Sequence, residues 1–154
     1  MIETKDTMCF ACGRANPVSL GMTFYIDADR SYCSKFVGQP EHVGYQNMMH
    51  GGIIATLLDE CLSRAVIEEG FLAVTAELHV KYLKPTPVGE ELTICARIEK
   101  NRGKLYNVVG EITLANGEIC AKAKAKIFAI NEQSFADDSV QPDRSRLQNV
   151  NSQQ

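Results

Sequence analysis

The sequence predicts an α+β domain in which one long helix lies against a single curved antiparallel sheet. Three observations carry that expectation. From about Gly51 to Glu69 the apolar residues Ile53, Ile54, Leu57, Leu58, Cys61, Leu62, Ala65 and Val66 recur at helical spacing and form one broad face. After Gly70 the period changes to two, the signature of strands with one buried face. The runs are joined by short turn-forming segments, which suit antiparallel neighbours.

Residues 1–18 read as an arm or loop, with "CFACGRANP" supplying Cys, Gly, Asn and Pro punctuation. A first strand is expected over Leu20 to Ala28 and a second over Tyr32 to Val37, followed by a loop, "GQPEHVGYQN". Beyond the helix, Val74, Ala76, Leu78, Val80 and Tyr82 alternate with Thr75, Glu77, His79 and Lys81. Leu92, Ile94, Ala96 and Ile98 alternate in the same way with polar or small residues. The turns "KPTPVGEE", "NRGK" and "ANGE" separate these runs from two more, Lys104 to Leu114 and Ile119 to Ile130. In the last run Ala121, Ala123 and Ala125 face one side and Lys122, Lys124 and Lys126 the other, so the helix can approach the alanine side closely. Residues 131–154 are polar and aperiodic and are expected to be disordered, which leaves 19–130 as the folded domain.

With 154 residues, 45% apolar and 23% charged, the chain has an ordinary globular composition for one domain. "MIETKDTM" leads into no apolar signal region and no apolar run reaches membrane-spanning length, so a soluble cytoplasmic protein is expected, with no membrane partner. Of the six cysteines, Cys61 falls in the helix and Cys95 and Cys120 in strands, and reduced thiols are the simpler expectation. "CFAC" is a single C-x2-C pair without a second, and a structural zinc normally takes four ligands, so no metal or other cofactor is expected. The net charge of −3 argues against general nucleic-acid binding. Residues 81–126 nevertheless hold nine Lys/Arg against five Glu, a bias that could hold a phosphorylated ligand.

The chemistry is expected around "HGGIIATLLDE". Gly51 and Gly52 fall at the start of the helix, where amide N–H groups lack internal acceptors and sit at the positive end of the dipole. A polarised carbonyl or oxyanion would be well placed there. Gly52, Thr56, Asp59 and Ser63 are spaced by 4, 3 and 4, one polar stripe beside the apolar face, which makes Asp59 the candidate acid. Glu60 lies off that stripe with Arg64 at i+4, the spacing of an ordinary surface pair. Gly52 and Asp59 are separated by roughly 10 Å along a helix, too far to act on one carbonyl. Treating both as catalytic therefore requires a two-fold homodimer that sets the Asp59 of one helix beside the glycines of the other.

The residues "HGGIIATLLDE", with the acid nine positions after the histidine, together with "CFACGRANPVSLGMTF" and "AVTAELHVKYLKPTPVGEELTICARI", resemble the hotdog-fold acyl-CoA thioesterases of the phenylacetate-pathway type, within the 4-hydroxybenzoyl-CoA thioesterase superfamily. The resemblance covers roughly residues 9–130. It implies an antiparallel sheet wrapped around a central helix, dimers or dimers of dimers with sites between protomers, and an acyl-CoA substrate. It further implies that Gly51 or Gly52 polarises the thioester carbonyl, that Asp59 of the partner chain serves as nucleophile or general base, and that His50 fixes the loop. Thr75 would lie near the catalytic water. Several relatives carry an asparagine where this chain has Gly44; here either Asn47 reaches the site from a differently shaped loop or the role is absent. Lys84, Arg102 and Lys104 become the candidates for the phosphates of CoA. Two rivals stand beside the thioesterase: a non-catalytic acyl-CoA-binding module, and an acyl-thioester hydratase, which would want a histidine working with Asp59, the next being His79.

Overall fold

The computed structural model describes residues 8–130. In chain order they form β1 (Phe24–Ile26), β2 (Tyr32–Val37), a 3-10 turn (Pro40–His42), β3 (Val43–Tyr45), β4 (Met48–Met49), helix α1 (Gly51–Ile67), β5 (Leu72–Tyr82), β6 (Glu91–Arg102), β7 (Leu105–Leu114) and β8 (Ile119–Ile130). Six strands make one antiparallel sheet in the order β1-β2-β6-β7-β8-β5, and α1 lies across one face. The expected tail, 131–154, lies outside the described residues.

The apolar stripe builds the core. Leu57, Leu58, Cys61, Leu62, Ala65 and Val66 are fully buried, against Leu92, Ile94, Val108, Ile112 and Ile127 of the sheet. On β8, Ala121, Ala123, Ala125 and Ala129 are buried while Lys122, Lys124 and Lys126 are exposed, so small side chains line the strand under the helix. Burying one Leu or Ile contributes about 1.5–3 kcal/mol, so this layer dominates the stability of the domain.

The first strand is shorter than expected. Residues before Phe24 bond elsewhere: Leu20 N–H donates to Phe10 O and Met22 N–H to Ala11 O, at 2.9 and 3.0 Å. These bonds lay the segment 8–22 on the core, where Ala11, Cys12 and Met22 are buried. The expected loop before the helix contains the β3–β4 hairpin, turned by Gln46 (φ 42°) and Asn47 (φ 63°). Two successive left-handed residues suit a tight hairpin, a feature that alternation of apolar residues does not reveal.

Strand β5 departs from the expected continuous alternation. Its register against β8 slips between Thr75 and Glu77, a β-bulge at Ala76. The bulge reverses the facing of the residues before it, so Thr75 turns inward with Leu78 and Val80, while Val74 becomes exposed. His79 stays on the outer face, opposite Lys124.

Two pairings differ from expectation. Cys33 and Cys95 are directly opposite on β2 and β6 and form a disulfide, so the reading of six reduced thiols is corrected. The two strands are distant in sequence, and their register is a property of the sheet. Cys9, Cys12, Cys61 and Cys120 are free thiols. Arg64 does not take the surface pairing with Glu60: it lies beneath β1 with its guanidinium 5.4 Å from the centre of the Phe24 ring, and its ion pair is with Glu68 at 2.6 Å. Arg64 is buried, and Glu60 is engaged elsewhere, its Oε2 3.6 Å from Cys9 Sγ.

Candidate active site

The N-terminus of α1 is capped from within. His50, extended at the N-cap, accepts the Gly52 N–H on its Nδ1 at 2.9 Å, while its carbonyl accepts the N–H groups of Ile53 and Ile54. Of the two glycine amides, Gly52 is thus occupied by imidazole. The Gly51 N–H meets no acceptor among the described residues, which leaves it as the free amide at the positive end of the helix. The Gly51 carbonyl accepts from Tyr82 Oη at 2.9 Å, so the end of β5 holds this peptide in place. Tyr82 reads in the sequence as the last member of an alternating strand, and nothing there marks it as a partner of the helix end.

Gly44 explains why no side chain stands at that point of the loop. A Cβ on Gly44 would meet His50 Cα at 2.9 Å and its imidazole Cδ2 at 3.3 Å. The β3–β4 hairpin therefore packs its backbone directly on the capping histidine. Asn47 sits at the exposed tip of that hairpin and engages Val88 N–H through its carbonyl, at 3.0 Å. The structure does not bring its side chain to Asp59.

Farther along α1, the polar stripe faces β5. Thr56 Oγ1 donates to Gly52 O at 2.9 Å, Thr75 Oγ1 donates to Asp59 Oδ1 at 2.8 Å, and Ser63 Oγ lies 3.3 Å from Thr75 Oγ1. The bulge in β5 is what turns Thr75 toward the helix. Asp59 is half-buried, held at one oxygen by a neutral hydroxyl. Asp59 and the Gly51 amide lie on one continuous helix, eight residues apart and so about 12 Å along the axis.

A groove of about 500 Å³ opens at the helix end, lined by Met48, Met49, Ile54, Tyr82, Leu83 and Lys84 among others. Its walls are apolar, and Lys84 stands at its edge in an ion pair with Glu118. Arg102 and Lys104 flank Gly103 (φ 60°) in the β6–β7 turn, at the other end of the sheet. Leu105 pairs with Phe128 whereas Lys84 N–H bonds to Cys120 O, so the two ends are separated by about 26 Å of β8. Within one chain the three candidate phosphate contacts do not converge. A second cavity, about 540 Å³, lies on the outer sheet face, where Arg97, Lys81, Lys122 and Lys124 are interleaved with Asp27, Asp29, Glu99 and Glu111. Acids thus balance much of the basic bias on that face, as the 3.6 Å pair of Lys122 with Glu111 illustrates.

Among the described residues, no helix is long and apolar enough to cross a membrane. A family model described as Thioesterase superfamily matches residues 46–121, from the β3–β4 turn through α1 into β8. The chain is 29% identical over 93 residues to mouse acyl-coenzyme A thioesterase 13, covering 59% of this chain and 61% of that one. It spans less than two thirds of the length of the first curated relatives it matches. Among solved structures, a Bacillus halodurans protein crystallised with CoA superposes with a TM-score of 0.66 at 28% identity, covering 74% of this chain and 77% of that one. The Escherichia coli PaaI protein of the phenylacetic acid degradation operon shares the fold, with a TM-score of 0.69 at 20% identity over 76% and 85% of the two chains. The sheet wrapped on one helix is the hotdog fold of these neighbours, and the segment that matches the thioesterase superfamily model contains both the capped helix end and Asp59.

Proposed function

We propose that the protein hydrolyses an acyl-CoA to the free acid and CoA at sites shared between two copies of the chain. The carrying observation is the division of labour along α1: a free Gly51 amide opens at one end, and Asp59, positioned by Thr75, lies about 12 Å along the same helix. A thioester carbonyl polarised by Gly51 N–H would have its reacting carbon near the Asp59 of a partner helix running the other way. That carboxylate then attacks the carbonyl carbon, expelling CoA as the thiolate and leaving a mixed anhydride that water hydrolyses to free the acid and Asp59, or it takes a proton from the attacking water and passes it to the departing sulfur, so that the C–S bond breaks and CoA leaves as the thiol. His50 holds the helix end and Lys84 contributes charge at the groove where the CoA chain would run. Self-association is supported by the edge position of β5: it is an 11-residue strand with no partner on its outer side among the described residues, bearing exposed Val74 and Tyr82. The hydratase reading loses support because His79 lies on the opposite face of β5 from Thr75 and Asp59.

The test is a hydrolysis screen over short, medium, long and aromatic acyl-CoAs with the native chain, Asp59→Ala and Asp59→Asn. Native activity should exceed both variants by about 10²–10⁴-fold, the usual worth of a positioned acid or base. If no acyl-CoA is cleaved faster than by the variants, the non-catalytic acyl-CoA-binding module replaces the enzyme. Sharing is tested by refolding Asp59→Asn together with Gly51→Pro, which removes the amide hydrogen at a helix position that tolerates proline: hybrids should regain activity that neither parent has, through the one intact pairing of amide and acid. Absence of any recovery in demonstrated hybrids sinks the shared site.

A further inference from the structure

Three potential metal ligands converge outside the candidate active site. Cys9 and Cys12, in the segment that precedes β1, meet Glu60 of α1, and the ligand atoms of the three all lie within 4.8 Å of one another. Cys9 Sγ is 3.6 Å from Glu60 Oε2. Tetrahedral coordination with Zn–S of about 2.3 Å and Zn–O of about 2.0 Å sets sulfur and oxygen ligands about 3.5 Å apart, so this edge already has the required length. Cys12 is only 6% exposed, Cys9 and Glu60 are half-buried. The backbone holds the two thiols in place: Gly13 N–H donates to Cys9 O at 2.8 Å, and the bonds of Phe10 and Ala11 carbonyls to Leu20 and Met22 fix the segment between the cysteines.

We propose that Cys9, Cys12 and Glu60 form a binding site for a thiophilic divalent cation of the zinc type, with solvent at the fourth position. Two thiols and one carboxylate exclude the hard, oxygen-preferring Mg²⁺ and Ca²⁺. Loading the site releases the two thiol protons to solvent and leaves two thiolates and one carboxylate on a divalent cation, a centre of net charge about −1. The expectation of no metal rested on the lack of a second C-x2-C pair; the third donor comes from the helix, 48 residues beyond Cys12, where no local spacing reveals it. The site would clamp the N-terminal segment onto α1 one residue from Asp59. It stands independently of the thioesterase reading.

The full chain, purified under reducing conditions from zinc-supplemented growth, is assayed for metal by mass spectrometry and titrated with Co²⁺ after chelation. Expected are about one zinc per chain and the intense thiolate-to-cobalt charge-transfer absorption of tetrahedral sulfur ligation. Cys9→Ser/Cys12→Ser should lose both signals, Glu60→Gln should bind at least tenfold more weakly, and Cys120→Ser should bind normally. Circular dichroism reports whether each variant is folded, and Glu60→Gln with the native cobalt spectrum decides the matter if the double serine variant does not fold. No retained zinc and no cobalt band in the reduced native chain, equal binding by the folded double serine variant, or native affinity in Glu60→Gln would each overturn the site.

Discussion

Thr75 Oγ1 donates a 2.8 Å hydrogen bond to Asp59 Oδ1, joining an edge strand to the middle of the central helix. The bond exists because the bulge at Ala76 turns Thr75 inward. Thr75→Val keeps the shape and removes the donor, at a cost of about 1 kcal/mol of positioning. Turnover of acyl-CoA should fall about five- to tenfold with KM little changed, and Thr75→Ser should restore it. Steady-state kinetics on the two variants checks this; equal kcat in Thr75→Val and the native chain would remove Thr75 from the site.

The capping imidazole makes a second prediction. His50→Ala leaves Gly52 N–H without its 2.9 Å acceptor and should lower stability by about 0.5–2 kcal/mol, the range for a lost N-cap. His50→Asn, which offers a capping oxygen, should recover most of the loss. Urea unfolding monitored by circular dichroism measures both.

Restoring an asparagine at Gly44 should harm this chain. The first side-chain atom would stand 2.9 Å from His50 Cα, a backbone atom that cannot swing aside. The hairpin must shift, costing about 1–3 kcal/mol, the scale of overpacking, and moving the cap with it. Gly44→Asn is therefore expected to unfold at lower temperature and to hydrolyse acyl-CoA more slowly. An unchanged melting temperature would show that the hairpin yields without penalty.

Burial, and to a smaller degree the charge of Glu60, push the Cys61 thiol up from its ordinary value of 9.0. The folded state thus holds this proton more tightly than the unfolded chain. Stability from this group is complete below pH 9.0 and declines as the pH rises beyond it, by at most about 1.4 kcal/mol per unit. Cys61→Ala, though less stable at neutral pH from lost packing, should show a shallower alkaline decline. Denaturant midpoints from pH 8 to 11, a range of roughly three units around that thiol value, test the difference in slope.

Periodicity alone determined most of the architecture. The apolar stripe from Ile53 to Val66 names the face of α1 that is buried, and the Ala/Lys alternation of β8 names both sides of its strand, because burial of apolar area is read directly from spacing. The paired glycines and Asp59 were also legible, since helix ends and polar stripes are local features. Tertiary structure decided what depends on neighbours distant in sequence. The register of β2 on β6 joins Cys33 to Cys95, and the bulge in β5 selects Thr75. His50 takes the Gly52 amide and leaves Gly51 free, while packing turns Glu60 toward Cys9 and Cys12 and Arg64 toward Glu68. A two-residue slip of a strand or one rotation of a side chain changes these partners while keeping the same residues buried, so only the folded chain could choose among them.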